Sequence, residues 1–393
     1  MNLKGIKLLR EKKIHKGELW LYSADFNAKE RVKEEVEDIK YISSGGGIVV
    51  ILAHQGRYKD GSAESLRWSA SELTKLLGKQ VHFFEDNIGK SVSRKIEKLG
   101  DGEIAVLENT RINKGEEEDG LGLARKFADL VKINDGERKS YVAIGGFGKA
   151  HRKNASNYGI LNYLPGFLAQ SQVKEMKTLE AWSGRSRDYS IAVLGGIKKE
   201  KITEGLVGFS ESYDFIIPGG IVLNTIYHVQ GRKVGDSVIG DEGRISDKEV
   251  KSVLRKHKDK IAIPEEVIIA KKSSSGYSGG RRIFIEEGVP EGWMIVDFIL
   301  PESARESLEQ LVRKRGRVVM AGTPGLYKAG FKSATDEILK YMNKQGVKGL
   351  VLGGDTAQEV KYKGTISLGG GASLYFLAHG TTPVLEKLRS QKV

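Results

Sequence analysis

Residues Gly47–Arg57 read GIVVILAHQGR: an unbroken apolar row that ends abruptly in a histidine and an arginine. A row this short and this apolar suits a strand buried on both faces of a parallel sheet. The stretch Ser65–Leu77 follows with helical spacing, and the same alternation recurs along the chain. Strands are expected at Glu18–Asp25, Ile48–Ala53, Gln80–Phe84, Glu103–Leu107 and Ser140–Ile144. A second set is expected at Ser190–Leu194, Asp214–Ile217, Ile261–Ala270, Met294–Phe298, Arg317–Met320 and Gly349–Leu352. Helices are expected at Val32–Ser43, Leu121–Val131, Asp247–Lys256, Ser303–Lys314 and Ser333–Met342. Alternation of this kind predicts an α/β protein of doubly wound parallel sheets.

The 393 residues exceed one ordinary core, so two Rossmann-like domains are expected, joined by a hinge helix. That hinge is placed in a single long helix, Gly166–Ser183, followed by the polar stretch Gly184–Asp188. The divisions are then 1–165, 166–183, 184–372 and a final segment 373–393. The tract Lys271–Arg282, KKSSSGYSGGRR, reads as a flexible surface turn.

There is no cysteine, which excludes disulfides and Cys-ligated zinc and fits an intracellular protein. The lysine-rich start, Met1–Ile14, has no apolar core of a secretory signal, and the apolar run Gly47–Ala53 is too short to cross a membrane. A cytoplasmic location is the expectation. The net charge of +13 admits a solvated basic surface, nucleic-acid binding or a site for a phosphorylated small molecule.

The residues after the strands choose among these. Asp25 and Asn27 close the first strand as DFN, and Arg31 begins the next helix; His54 and Arg57 follow the second. Arg111 follows the fourth in LENTR, and His151 and Arg152 end the glycine-rich GGFGKAHR. Loops after parallel strands share one edge of the sheet, so these cations are expected to converge there. Clustered guanidiniums repel unless an anion sits among them, and their planar forks suit phosphate and carboxylate. Basic residues in strand-end loops, not along one helix, argue against a nucleic-acid partner.

In the second half the glycines take over. Gly195-Gly196-Ile197-Lys198 follows a strand, with Lys199 and Lys201 behind it. Gly353-Gly354-Asp355-Thr356 and Gly369-Gly370-Gly371 each open a helix. Such turns present backbone N–H groups to phosphate oxygens, and Asp355 is placed to hold Mg²⁺. Neither a P-loop nor a G-x-G-x-x-G fingerprint is present.

In their order, these motifs resemble those of phosphoglycerate kinases over nearly the whole chain. The resemblance implies that Asp25, Asn27, Arg31, His54, Arg57, Arg111 and Arg152 bind 3-phosphoglycerate. Lys198 would stabilise the moving phosphoryl group, with Arg31, Gly370 and Gly371 as further catalytic groups. Gly195, Lys198, Lys201, Gly354, Asp355, Thr356 and Lys328 would stand at the nucleotide, with Lys199 an alternative to Lys201 because the lysine motif is one residue short. It also implies ATP or ADP as co-substrate, Mg²⁺ at Asp355, a monomer, a hinge that closes, and a C-terminal segment that returns to the first domain.

The sequence departs from the pattern at Ile144 and Gly145, where the family has Asn-Asp, and at Lys149, Gln55 and Tyr58. The larger departure is Met320–Lys328, MAGTPGLYK: the family's asparagine becomes Ala321, and its ribose-holding glutamate becomes Lys328. The acid-binding patch is retained while the nucleoside pocket is rewritten. The alternatives are a related phosphotransferase with another donor or acid, and a binding protein without activity.

Overall fold

A computed structural model describes residues 3–118, 120–132, 138–184, 186–240, 245–274 and 276–391. The chain forms two units: Met1–Lys177 with Thr381–Val393, and Thr178–Gly380.

The first unit is built on a six-stranded sheet of β1 (Leu19–Ser23), β2 (Ile48–Leu52), β3 (His82–Phe84), β4 (Ile104–Leu107), β5 (Ser140–Ile144) and β6 (Gly166–Leu168). Its order is β3-β4-β2-β1-β5-β6, and every pairing is parallel. All five residues of β1 and of β2 are buried, as the unbroken apolar row requires. Trp20 is fully buried, with ring centroids 4.8 Å from Tyr141 and 5.4 Å from Phe167. Aromatic pairs of this kind contribute about 0.5–1.5 kcal/mol beyond their burial, and here they tie β1, β5 and β6 together.

The second unit holds β7 (Ser190–Leu194), β8 (Phe215–Pro218), β9 (Glu266–Ser273), β10 (Gly276–Phe284), β11 (Met294–Phe298), β12 (Arg317–Ala321), β13 (Lys348–Leu352) and β14 (Thr365–Ser367). Five of them make a parallel sheet, β14-β13-β12-β7-β8, and three make an antiparallel one, β10-β9-β11. The direction in which successive strands are added reverses between β1 and β5 in the first sheet and between β7 and β12 in the parallel sheet of the second unit. Crevices at the carboxyl ends of strands form at such points.

Four expectations need correction. The stretch 166–183 is not one helix. Gly166–Leu168 forms β6 against β5, followed by a helix at Gln170–Leu179 and a 3₁₀ turn at Glu180–Trp182. Phe167 and Leu168 gain burial in the sheet, and Leu168 N donates to Lys7 O at 2.8 Å, so pairing overrides helical spacing. The last segment leaves the second unit at Thr381, not at 373, because the helix Gly371–His379 buries Leu374, Phe376 and Leu377 beside the helical stretch 201–212.

The tract Lys271–Arg282 is not a loose turn: Lys271–Ser273 and Gly276–Arg282 belong to the antiparallel pair β9–β10, with a bulge between Ser278 and Arg281; Ser274 is a turn residue, and Ser275 is not among the described residues. Lys271 and Arg281 both stack on Trp293, at 5.2 and 4.5 Å from the ring centroid, so the basic ends have an aromatic partner. Finally, β9 begins at Glu266 and not at Ile261; Pro264 lacks the N–H that ladder pairing needs.

Candidate functional site

In the first unit the sequence-selected residues meet at the ends of β1, β2, β4 and β5. Asp25, almost fully buried, accepts from Asn27 Nδ2 at 2.6 Å and from Arg31 Nη1. Asn27 Nδ2 also stands 3.0 Å from His54 Nε2. His54 is 2% exposed, and burial lowers its pKa well below the ordinary range, aided by Arg111, Lys149, Arg152 and Arg31. A neutral ring accepts at Nε2 and carries its proton on Nδ1, which has no hydrogen-bond partner among the described residues. Four cations therefore act on one imidazole, and Asp25 is the carboxylate beside it, with Oδ1 at 3.7 Å.

Arg111 is held by Gly56 O and lies 3.7 Å from Glu117. The Asn109 side chain shapes that loop, donating to Gln55 O and Glu64 O and accepting from Arg111 N at 3.0 Å. Arg152 Nε donates to His151 Nε2 at 3.3 Å. Arg57 is exposed and lies near enough to Arg111 to act on it electrostatically. The departure at Lys149 is built in: its buried Nζ donates to Ser23 Oγ at 2.8 Å and Ala24 O at 2.7 Å, directly before Asp25.

The glycines of GGFG are required by this packing. A Cβ on Gly148 would stand 2.5 Å from Arg31 Nη1 and 2.6 Å from Asp25 Oδ2. Gly146 has φ +64° and would meet Asp25 N at 2.8 Å. Gly145, where the family has a side chain, leaves room for Glu35, which sequence reading missed. Glu35 accepts from Tyr22, from Gly146 N at 2.7 Å and from Ser171 Oγ at 2.9 Å, joining a helix, β1, the loop and the helix Gln170–Leu179. It lies inside a helix pattern of many glutamates (Lys29–Ser44), and only tertiary packing distinguishes it.

In the second unit a cavity of about 540 Å³ opens beside the ends of β7 and β12. Its wall includes Gly196 and Ile197 from the first glycine turn, Asp355, and Lys328. The loops after β7 and β12 touch so closely that a Cβ on Gly195 would strike Thr323 O. Lys198 is exposed behind that turn, as is Lys199. Burial, then the Lys198 charge, pulls the Lys201 ammonium down to about 8. Gly354 opens the helix Gly354–Glu359 from an N-cap at Gly353, placing Asp355 and Thr356 in its first turn. Gly370 is the N-cap of the helix that starts at Gly371.

Tyr277, Asn224, Asp297 and Glu359 also line the cavity and were not selected from sequence. Tyr277 was concealed by the loop-like composition of its tract. Asn224 and Glu359 sit inside helices, where no motif marks them. Lys328 N donates to Glu359 Oε1 at 2.9 Å, so a carboxylate still lies against the rewritten turn.

An anion-seeking cluster at the strand ends of one parallel-sheet unit, and a glycine-lined cavity at those of another, define the class of two-domain α/β proteins that bind small anionic ligands. The family model for phosphoglycerate kinase matches residues 23–379. A phosphoglycerate kinase of Fervidobacterium nodosum is 32% identical over 381 residues, which cover 92% of this chain and 91% of that one. One of Moorella thermoacetica is 32% identical over 368 residues, covering 90% and 89%. The solved phosphoglycerate kinases of Coxiella burnetii and Pyrococcus horikoshii share the fold, each with a TM-score of 0.71 over 98% of both chains, at 23% and 24% identity. The chain belongs to the phosphoglycerate kinase family. No described helix is long and apolar enough to cross a membrane.

Proposed function

We propose that the chain transfers a phosphoryl group reversibly between ATP and the carboxylate of 3-phosphoglycerate, giving 1,3-bisphosphoglycerate and ADP. The observation that carries this is the cluster around His54, where Arg31, Arg111, Arg152 and Lys149 all act on one buried neutral ring. Such an excess of positive charge is relieved by a doubly anionic acid.

A carboxylate oxygen attacks the γ-phosphorus, a new P–O bond forms, and the bond to the β–γ bridging oxygen breaks, with ADP leaving. A carboxylate is already ionised, so no general base is needed. Catalysis then comes from alignment and from cancelling charge on the three equatorial oxygens. On this reading Asp25, Asn27, His54, Arg57, Arg111 and Arg152 hold the acid. Arg31 spans acid and moving phosphoryl group. Lys198 and the backbone amides at Gly370 and Gly371 neutralise its oxygens, and Gly195, Lys201, Gly354, Thr356 and Lys328 contact the nucleotide. Asp355 is exposed on the cavity wall, and the described residues contain no group of three or more His, Asp or Glu that could hold a metal. One carboxylate fits a Mg²⁺ that arrives on the nucleotide, where it would neutralise phosphate charge. Attack needs the acid and the γ-phosphate at about 3–3.5 Å, so the two units must close, with a hinge in 165–183 and near 371–380.

The test is acyl-phosphate formation from 3-phosphoglycerate and MgATP, with GTP in parallel. Turnover with ATP that Arg31→Ala lowers by about 10²–10³ in kcat/KM is expected. No turnover with either nucleotide would overturn the reading.

A further inference from the structure

The end of β1 and the turn after β5 together set where Asp25 stands. Gly145 N donates to Ser23 O at 3.0 Å, and Gly146 lies so close that a Cβ on it would stand 2.8 Å from Asp25 N. Lys149, from the same turn, is 1% exposed, and its Nζ donates to Ser23 Oγ at 2.8 Å and to Ala24 O at 2.7 Å. The peptide between Ala24 and Asp25 is a rigid plane, so a hold on Ala24 O also orients Asp25 N and Cα. The lysine is itself anchored, since Asn157 Nδ2 donates to Lys149 O at 3.0 Å.

Removing an ammonium from water is expensive. Two buried carboxylates, Glu116 and Glu35, act on this one and offset the cost. Both are fixed by other partners: Glu116 accepts from Ser156 Oγ at 2.5 Å and Thr110 Oγ1 at 3.1 Å, and Glu35 accepts from Gly146 N at 2.7 Å. The contact they sustain is with the two residues immediately before Asp25. Beyond Asp25 the chain of contacts continues, because Oδ2 accepts from Arg31 Nη1 and Oδ1 from Asn27 Nδ2 at 2.6 Å. Lys149 departs from the family's pattern, so this support belongs to this chain.

We propose that Lys149 is a positioning residue for the acid site: by holding Ser23 and Ala24 it fixes Asp25, and through the Asp25 carboxylate it fixes the guanidinium of Arg31. That Arg31 meets the acid rests on the proposed phosphotransfer reading. A purely electrostatic role for Lys149 makes a different prediction. A charge that simply adds to the patch attracts the acid whether or not Arg31 is present. A positioning residue loses most of its effect once the group it positions is gone.

The experiment is a double-mutant cycle on the full chain with Arg31→Ala and Lys149→Met, which keeps the length of the stem and removes the donors. Affinity for 3-phosphoglycerate is measured by calorimetry. Lys149→Met alone should weaken binding about tenfold, the weight of a charge-assisted hydrogen bond. In the Arg31→Ala background the same change should alter binding by less than about twofold. Effects that multiply across the two variants overturn the proposal and leave Lys149 as one more charge in the patch. A second measurement needs no ligand. The Nη hydrogens of Arg31, assigned in nitrogen-edited proton NMR by their loss in Arg31→Ala, should be resolved in the wild type, where Asp25 restrains them, and should merge in Lys149→Met. Signals that the substitution leaves unchanged would sink the proposal. Melting curves establish that each variant is folded. Should Lys149→Met not fold, Ser23→Ala, which removes one of the two acceptors, goes through the same cycle and spectra; a smaller change of the same kind is expected, and no change refutes the idea. A wild type that binds no 3-phosphoglycerate removes the phosphotransfer reading, and the Arg31 signals then decide the positioning role alone.

Discussion

At the scale of single residues, the acid-binding cluster depends on absent side chains as much as on present ones. Gly148→Ala places a Cβ 2.5 Å from Arg31 Nη1 and 2.6 Å from Asp25 Oδ2. The guanidinium is the far end of a flexible chain and gives way, so the damage falls on geometry. We expect KM for 3-phosphoglycerate to rise about tenfold or more, with a melting temperature within about 2 °C of the wild type. An unchanged KM would show that Arg31 is not held by this packing. Glu34 offers a pH test. Glu34 is exposed to solvent along its side chain, yet the atoms packed about its carboxyl, with Glu35 and Glu175 nearby, raise it from 4.5 to about 7. The folded protein then holds a proton that the unfolded chain has released. This contribution to stability is full below about 4.5 and is lost as pH rises through about 7. Glu34→Gln should flatten that part of the stability–pH curve in denaturant titrations; a curve of unchanged slope would sink the assignment.

At the scale of elements, the final helix Pro383–Ser390 fastens the end of the chain into the first unit. Thr382 caps it, its side chain accepting from Leu385 N at 3.3 Å, and proline takes the first helical position, where no N–H is needed. Val384, Leu385 and Leu388 are buried, and Gln391 closes the segment by accepting from Gly166 N at 2.8 Å and donating to Leu161 O at 2.6 Å. Thr382→Ala should cost about 1 kcal/mol, read as a fall of roughly 2–4 °C in the unfolding transition of the first unit. A melt that does not move would show that the proline and the apolar contacts hold the helix without its cap. The β9–β10 pair behaves differently. Its composition is that of a loop, yet Tyr277 reaches the cavity wall and packs edge-on against Phe331 at 6.1 Å.

For the whole molecule, the proposed reaction sets a mechanical requirement. On that proposal the acid binds the unit of Met1–Lys177 with Thr381–Val393 and the nucleotide binds the unit Thr178–Gly380, so transfer demands that they approach. Small-angle scattering should show a smaller radius of gyration with 3-phosphoglycerate and an unreactive ATP analogue bound together than with either alone. An envelope indifferent to both ligands would count against closure. The chain crosses between the units twice, at Lys177–Thr178 and at Gly380–Thr381, and a hinge there is confined to two short segments.

Much of this was legible before any coordinates. Apolar rows such as Ile48–Leu52 specify buried parallel strands because a polar residue at any position would have faced a helix layer. A polar or basic residue directly after such a row marks a strand-end loop, which is why Asp25, Arg31, His54, Arg111 and Arg152 were found from sequence and meet in space. Gly166–Leu168 was not legible as a strand, nor Lys271–Arg282 as a strand pair, because partners far away in sequence supplied the ladder hydrogen bonds that decided both. Nor could spacing reveal Glu35, Lys149 or Asn224. Each is polar, each is buried, and each takes its role from partners on other elements: Tyr22 and Gly146, Ser23 and Ala24, Val238. Local pattern fixes which face of an element is apolar; only the assembled fold decides which buried polar atoms are matched and which are not.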